Sequence, residues 1–84
     1  PHPFLQRPGK PQIKWKQWYR LFENYVGAID ATGYSISRKL ALLYGCLGPA
    51  AQEVFDNLPE IPAQGDGWDP FKEAVERLRR HYLD

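Results

Sequence analysis

The sequence predicts an all-α fold: a compact bundle of about four helices carrying an extended, proline-rich N-terminal arm. Three observations predict it. Apolar residues recur at three- and four-residue steps over most of the chain after Ile13. Gly48-Pro49 reads as one helix stopped and the next begun at once, because Gly tolerates the conformation just past a helix end and Pro fits the first position of a new helix. The alternating apolar pattern of a half-buried strand is almost absent.

Pro1 to Pro11 contains four prolines. Each removes a backbone donor and pushes its predecessor toward extended geometry, so this segment is not helical. Its one apolar pair is Phe4-Leu5. Helix 1 is expected from about Lys14 to Ile29, with Trp15, Trp18, Phe22, Tyr25, Val26 and Ile29 on one face and Tyr19 and Leu21 flanking it. Gly33 is its expected terminator. Gly27, unfavourable inside a helix by about 1 kcal/mol against Ala, is expected to let a second backbone come close.

Helix 2 opens at Ser35 or Ser37, either a suitable N-cap. Its stripe of Ile36, Leu40, Leu43 and Leu47 is broadened by Ala41, Leu42, Tyr44 and Cys46, which makes it the central helix. Helix 3 runs from Pro49 to about Asn57, with Ala51, Val54, Phe55 and Leu58 inward, until Pro59 and Pro62 block continuation. Ala63 to Gly67 is a loop by composition. Asp69-Pro70, an N-cap followed by a first-turn proline, announces helix 4, whose inward face is Phe71, Ala74, Val75, Leu78 and Tyr82. Glu73–Arg77 and Glu76–Arg80 stand four apart in the favourable order. The chain thus divides into an arm, residues 1–12, and a helical domain, residues 13–84.

At 84 residues this is one small domain, and a chain of that size buries only roughly 60% of its unfolded surface. Three Trp, five Tyr and four Phe help so small a core reach adequate burial. The net charge of +1 gives no electrostatic reason to expect a nucleic acid or membrane partner. One cysteine makes neither an internal disulfide nor a cysteine-rich zinc site. No apolar run approaches the roughly 18–20 residues of a membrane span. The chain lacks an initiator Met and a signal-peptide pattern, so it is expected to be part of a longer, cytoplasmic (intracellular) protein.

No convergent set of catalytic groups assembles from the sequence, and no enzyme, cofactor or metal is expected. His2 lies in the arm, and His81 in a last helical turn, where a histidine complements the helix dipole. Cys46 sits among leucines, the setting of a buried, inert thiol. Gly65-Asp66-Gly67 lacks the Lys-Ser/Thr of a phosphate loop. Arg7, Lys10, Lys14, Lys16 and Arg20 accompany Trp15 and Trp18, a combination that can grip a single nucleic-acid strand, but these tryptophans fit a core stripe. Arg77, Arg79 and Arg80 read as dipole and salt-bridge partners.

The aromatic residues exceed what such a core needs, and partner-binding surfaces favour aromatics. Trp18, Tyr19, Phe22, Tyr25 and Tyr44 are therefore candidate groove or subunit-contact residues. Phe4 and Leu5 are the candidate segment to occupy such a groove, with the arm packed back on its own bundle or exchanged with a neighbour.

The spacing Trp15-x-x-Trp18-x-x-x-Phe22-x-x-Tyr25, then Ala41-Leu42-Leu43-x-x-Cys46-Leu47-Gly48-x-x-Ala51-x-x-x-Phe55, then Trp68-x-x-Phe71-x-x-x-Val75, resembles the gag region of Ty3/gypsy-type LTR retrotransposons. The resemblance spans Ile13 to Leu83. It implies a capsid protein's N-terminal domain (N-lobe), related to domesticated gag proteins such as the Arc protein and the paraneoplastic antigens. It further implies an all-helical, retroviral capsid N-lobe-like fold and self-association in the full-length parent. RNA would be packaged by that parent rather than bound directly by this domain, since this chain carries no zinc knuckle. In Arc-like N-lobes a hydrophobic groove accepts short proline- and aromatic-bearing peptides, and Pro3-Phe4-Leu5 is similar to such a segment. The resemblance thus implies a structural capsid domain making protein–protein contacts. The alternatives are a domesticated adaptor lobe that binds short peptides without forming shells and, from a different class, a nucleic-acid-binding helical domain.

Overall fold

In a computed structural model, which describes residues 1–83, the chain forms four α-helices: α1 Trp15–Ala28, α2 Ile36–Leu47, α3 Pro49–Asp56 and α4 Pro70–His81. No strand occurs among the described residues. Helix α2 lies against both α3 and α4, and α1 packs on α4, so α2 and α4 form the middle of the bundle. The core is Trp15, Trp18 and Phe22 of α1, Leu43 and Leu47 of α2, Ala50 and Ala51 of α3, and Ala74 and Leu78 of α4. Phe4 and Leu5 belong to the same cluster.

The inward stripe of α1 runs through Trp15, Trp18 and Phe22, with Tyr19 and Val26 packed alongside. Tyr25 is half-buried outside this cluster and Ile29 is exposed, so the stripe follows one narrower track than the spacing suggested. The expected ends of α1, Lys14 and Ile29, are its caps. Gly33 does not stop it. The helix ends earlier, where Asp30 adopts φ 56°, the Asp30 N–H donates to Gly27 O (3.2 Å) and the Ala31 N–H donates to Val26 O (2.9 Å). That bond pair is a Schellman closure, which needs a left-handed residue at the position Asp30 holds. Ala31, which follows Asp30 in this closure, is fully buried. Asp30→Gly is therefore expected to raise stability by about 0.5–1 kcal/mol, read as a higher urea midpoint; an unchanged or lower midpoint contradicts this account. Gly27 also departs from expectation, since a Cβ built there meets nothing within 4 Å.

Ser35 caps α2, its Oγ accepting the Arg38 N–H at 3.3 Å. Asp69 caps α4 in the same way, Oδ1 accepting the Lys72 N–H at 2.8 Å. The Gln52 side chain donates to Tyr44 O (2.8 Å) and closes one of the free carbonyls at the end of α2.

The long connection between α3 and α4 is tied down by an ion pair. Arg77 Nε lies 2.8 Å from Glu73 Oε2. Glu73 Oε2 accepts the Ile61 N–H at 3.0 Å, and Arg77 donates to Leu58 O at 3.1 Å while its guanidinium covers the Phe55 ring. Both side chains are largely shielded from water. Arg77→Met keeps the aliphatic stem but leaves Glu73 without its cation, and is expected to cost about 1–3 kcal/mol. A denaturation midpoint within error of the parent contradicts the clamp. The second expected pair is also present: Arg80 Nε and Arg79 Nε lie 2.8 and 2.7 Å from the Glu76 carboxylate. Hydrogen bonds from Arg79 and then Arg80 hold the Glu76 carboxyl down at about 2. With a lowered folded-state value, this contribution is present above the ordinary glutamate range and is lost as the pH falls through about 2.

Candidate functional site

The N-terminal segment has no regular secondary structure, yet Phe4 and Leu5 are 3% and 7% exposed between neighbours open to solvent. What holds them is the corner between α2 and α3. A helix ends with carbonyls that have no intrahelical donor and begins with N–H groups that have no acceptor. The Gly48-Pro49 turn brings one of each together. The Leu5 N–H donates to Leu47 O at 2.9 Å, and Leu5 O accepts the Ala51 N–H at 3.2 Å. One residue of the arm thus completes the end of α2 and the start of α3.

Gly48 makes this approach possible. Its backbone sits at φ 91°, ψ 158°, a region essentially restricted to glycine. A Cβ there would lie 2.7 Å from Pro3 Cβ and 2.8 Å from Leu5 O. The corner is therefore more than the helix-to-helix scaffold implied by the Gly-Pro dipeptide: it is the floor on which the arm rests.

Phe4 enters an aromatic cage. Its ring meets Trp15 edge-on at 5.3 Å, Trp18 tilted at 5.6 Å and Tyr82 edge-on at 4.8 Å between centroids. These are the offset and edge arrangements that aromatic quadrupoles favour. Trp18 is 1% exposed, so its indole N–H needs a protein acceptor. It donates to His2 O at 2.8 Å. Trp15 and Trp18 stack on each other, and Trp18 stacks on Phe22, continuing the ring column into the bundle.

Phe4, Leu5 and Trp18 thus meet in one site. Phe22 lies one ring deeper and, with Tyr19, faces a different cleft of about 350 Å³ that Val26, Ile36, Lys39 and Phe71 also line. Burial and then the Glu23 carboxylate push the Tyr19 phenol up to about 12. Tyr25 joins neither cluster. Tyr44 stands on the α2–α3 side, donating to Asp56 Oδ2 at 2.8 Å with its ring edge-on to Phe55. That hydrogen bond is the main reason its phenol is raised. The site also uses residues that the spacing assigned to core or corner and not to a groove: Trp15, Tyr82, the Leu47 carbonyl, Gly48 and the Ala51 N–H. Trp15 was legible three positions before Trp18. The main-chain groups were not, because nothing in a side-chain pattern marks which helix end will be completed by a distant residue.

Along the outer side of the arm runs a cleft of about 660 Å³, bordered by His2, Phe4, Gln6, Arg7, Trp18 and Leu21. Cys46 is half-buried, and burial raises its thiol. His81 lies edge-on to Tyr82 at 4.6 Å. Among the described residues, no group of three or more His, Cys, Asp or Glu side chains is placed to hold a metal ion, and no helix is long and apolar enough to cross a membrane. Comparison with protein-family models, with curated proteins and with solved structures found no match to this chain.

Proposed function

We propose that this chain is a non-enzymatic, gag-derived capsid N-lobe whose work is protein–protein contact within a larger assembly. The observation that carries the contact role is the seating of His2 to Leu5. Main-chain hydrogen bonds fix the segment's register and an aromatic cage takes the Phe4 ring, which is how peptide segments are recognised. The gag-like spacing supports the capsid assignment; seven of its residues, Trp15, Trp18, Phe22, Leu43, Leu47, Gly48 and Ala51, fall on that recognition apparatus and the core behind it, while Tyr25 and Ala41 lie outside. Electron microscopy of particles pelleted from cells expressing the full gene product tests the assignment. Regular shells containing this domain are expected; a product that remains monomeric at high concentration contradicts it.

The same seating favours a second reading, a domesticated adaptor lobe that accepts short proline- and aromatic-bearing peptides from other proteins. A labelled peptide of residues 1–10 titrated onto a chain lacking those residues separates the two. Binding lost in a folded Trp18→Ala variant, with no particles formed by the full gene product, selects the adaptor.

A further inference from the structure

We infer that two copies of this chain exchange arms, each placing Pro3-Phe4-Leu5 in the slot formed by Trp15, Trp18, Gly48 and Tyr82 of the other. The inference goes beyond the capsid reading and stands on the geometry of the arm alone.

The hydrogen bonds and ring contacts that seat the arm belong to residues 2–5: the His2 carbonyl on Trp18, Pro3 over Gly48, the Phe4 ring in its cage and the two Leu5 main-chain bonds. The connection that follows touches the core at its far end, where Ile13 packs against it. Among the described residues, no hydrogen bond involves residues 6–13, and Gln6 to Lys10 are exposed throughout. The slot therefore recognises the segment and not the path by which the segment arrives.

That path holds one backbone conformation specific to glycine. Gly9 adopts φ 129°, which L side chains rarely reach, while Pro8 and Pro11 on either side favour extended chain. A Cβ at Gly9 meets nothing within 4 Å, so the glycine is there for its conformation and not for space. With Gly9 extended, residues 6–14 reach about 30 Å. The chain measures 34 × 31 × 20 Å, so an extended segment is as long as one copy is wide, the reach that exchange requires. An exchanged arm makes the same contacts as a folded-back one, so the balance is set by the effective concentration of the tether, millimolar for a short linker. Reciprocal exchange joins two copies through contacts that each already satisfies alone, which is the low-cost route to a dimer.

The test uses sedimentation of the intact chain and of Gly9→Val between 10 µM and 1 mM, on the order of the tether's effective concentration. The parent is expected to be monomeric at the low end, with a dimer fraction growing toward the high end. Gly9→Val, which disfavours only the reversal, is expected to move the dimer midpoint at least about tenfold lower. Phe4→Ala added to Gly9→Val is expected to return the monomer, since it removes the exchanged ring and leaves the slot intact. A Gly9→Val chain that stays monomeric throughout overturns the inference, and so does a dimer that survives Phe4→Ala. Either failure leaves the capsid and adaptor readings standing, because they allow contacts through other faces.

Discussion

Replacing Phe4 with Ala is expected to lower stability by about 2–3 kcal/mol, equivalent to a melting temperature roughly 10–20 °C lower for a domain of this size. In an ordinary core a Phe→Ala change costs about 3–5 kcal/mol. Here the loss has a ceiling, because the arm is tethered at one end only and can leave its slot when seating becomes unfavourable. The damage then cannot exceed what the seated arm contributes. Burial of Phe4 and Leu5 is worth about 4–5 kcal/mol and the three hydrogen bonds about 3 more. Ordering residues 2–5 offsets about 5 of that. Deleting residues 1–10 should accordingly match Phe4→Ala to within about 1 kcal/mol. An arm that hangs free would leave the melting temperature unchanged in both variants.

The second large effect is expected at Gly48. Gly48→Ala carries a backbone cost of about 1–3 kcal/mol, because φ 91° with ψ 158° suits glycine alone. It also drives a methyl group into Pro3 and the Leu5 carbonyl, which unseats the arm. The full chain should therefore lose about 3–6 kcal/mol, the sum of strain and arm release. In a chain without residues 1–10 the same substitution should cost only the strain. The difference, a coupling of about 2–3 kcal/mol between two sites more than forty positions apart in sequence, is read directly from four urea titrations. Equal costs in the two backgrounds would show that Gly48 serves the helix corner and not the arm.

Much of the fold was legible because helical periodicity and caps act locally. Ser35, Pro49, Asp69 and Pro70 hold the positions their side chains suggested, and both Glu–Arg pairs of α4 formed. The end of α1 was not legible. Gly33 is the better residue for a left-handed cap, but the residue that becomes fully buried is Ala31, and the closure falls at Asp30 just before it. Tertiary burial overrode local preference there. The candidate site was legible in part for the same reason. Phe4, Leu5 and Trp18 could be nominated from composition, and they do meet. Tyr44 could be nominated on the same grounds but faces Phe55 and Asp56, because aromatic content does not say which helix face a ring occupies. Gly48 was legible only in its local role. Its second role, giving room to a chain segment from the far N-terminus, depends on a non-local approach that no spacing rule carries.

The Gly48 corner is a slot filled by the arm, with the Leu5 N–H bonded to Leu47 O. Amide hydrogen exchange at Leu5 tests it most directly, since that proton exchanges only when the arm leaves. An arm held by about 2–3 kcal/mol predicts a protection factor of roughly 30–150 at Leu5, with Arg7 and Lys10 unprotected. A Leu5 amide that exchanges as fast as Arg7 and Lys10 would contradict the account.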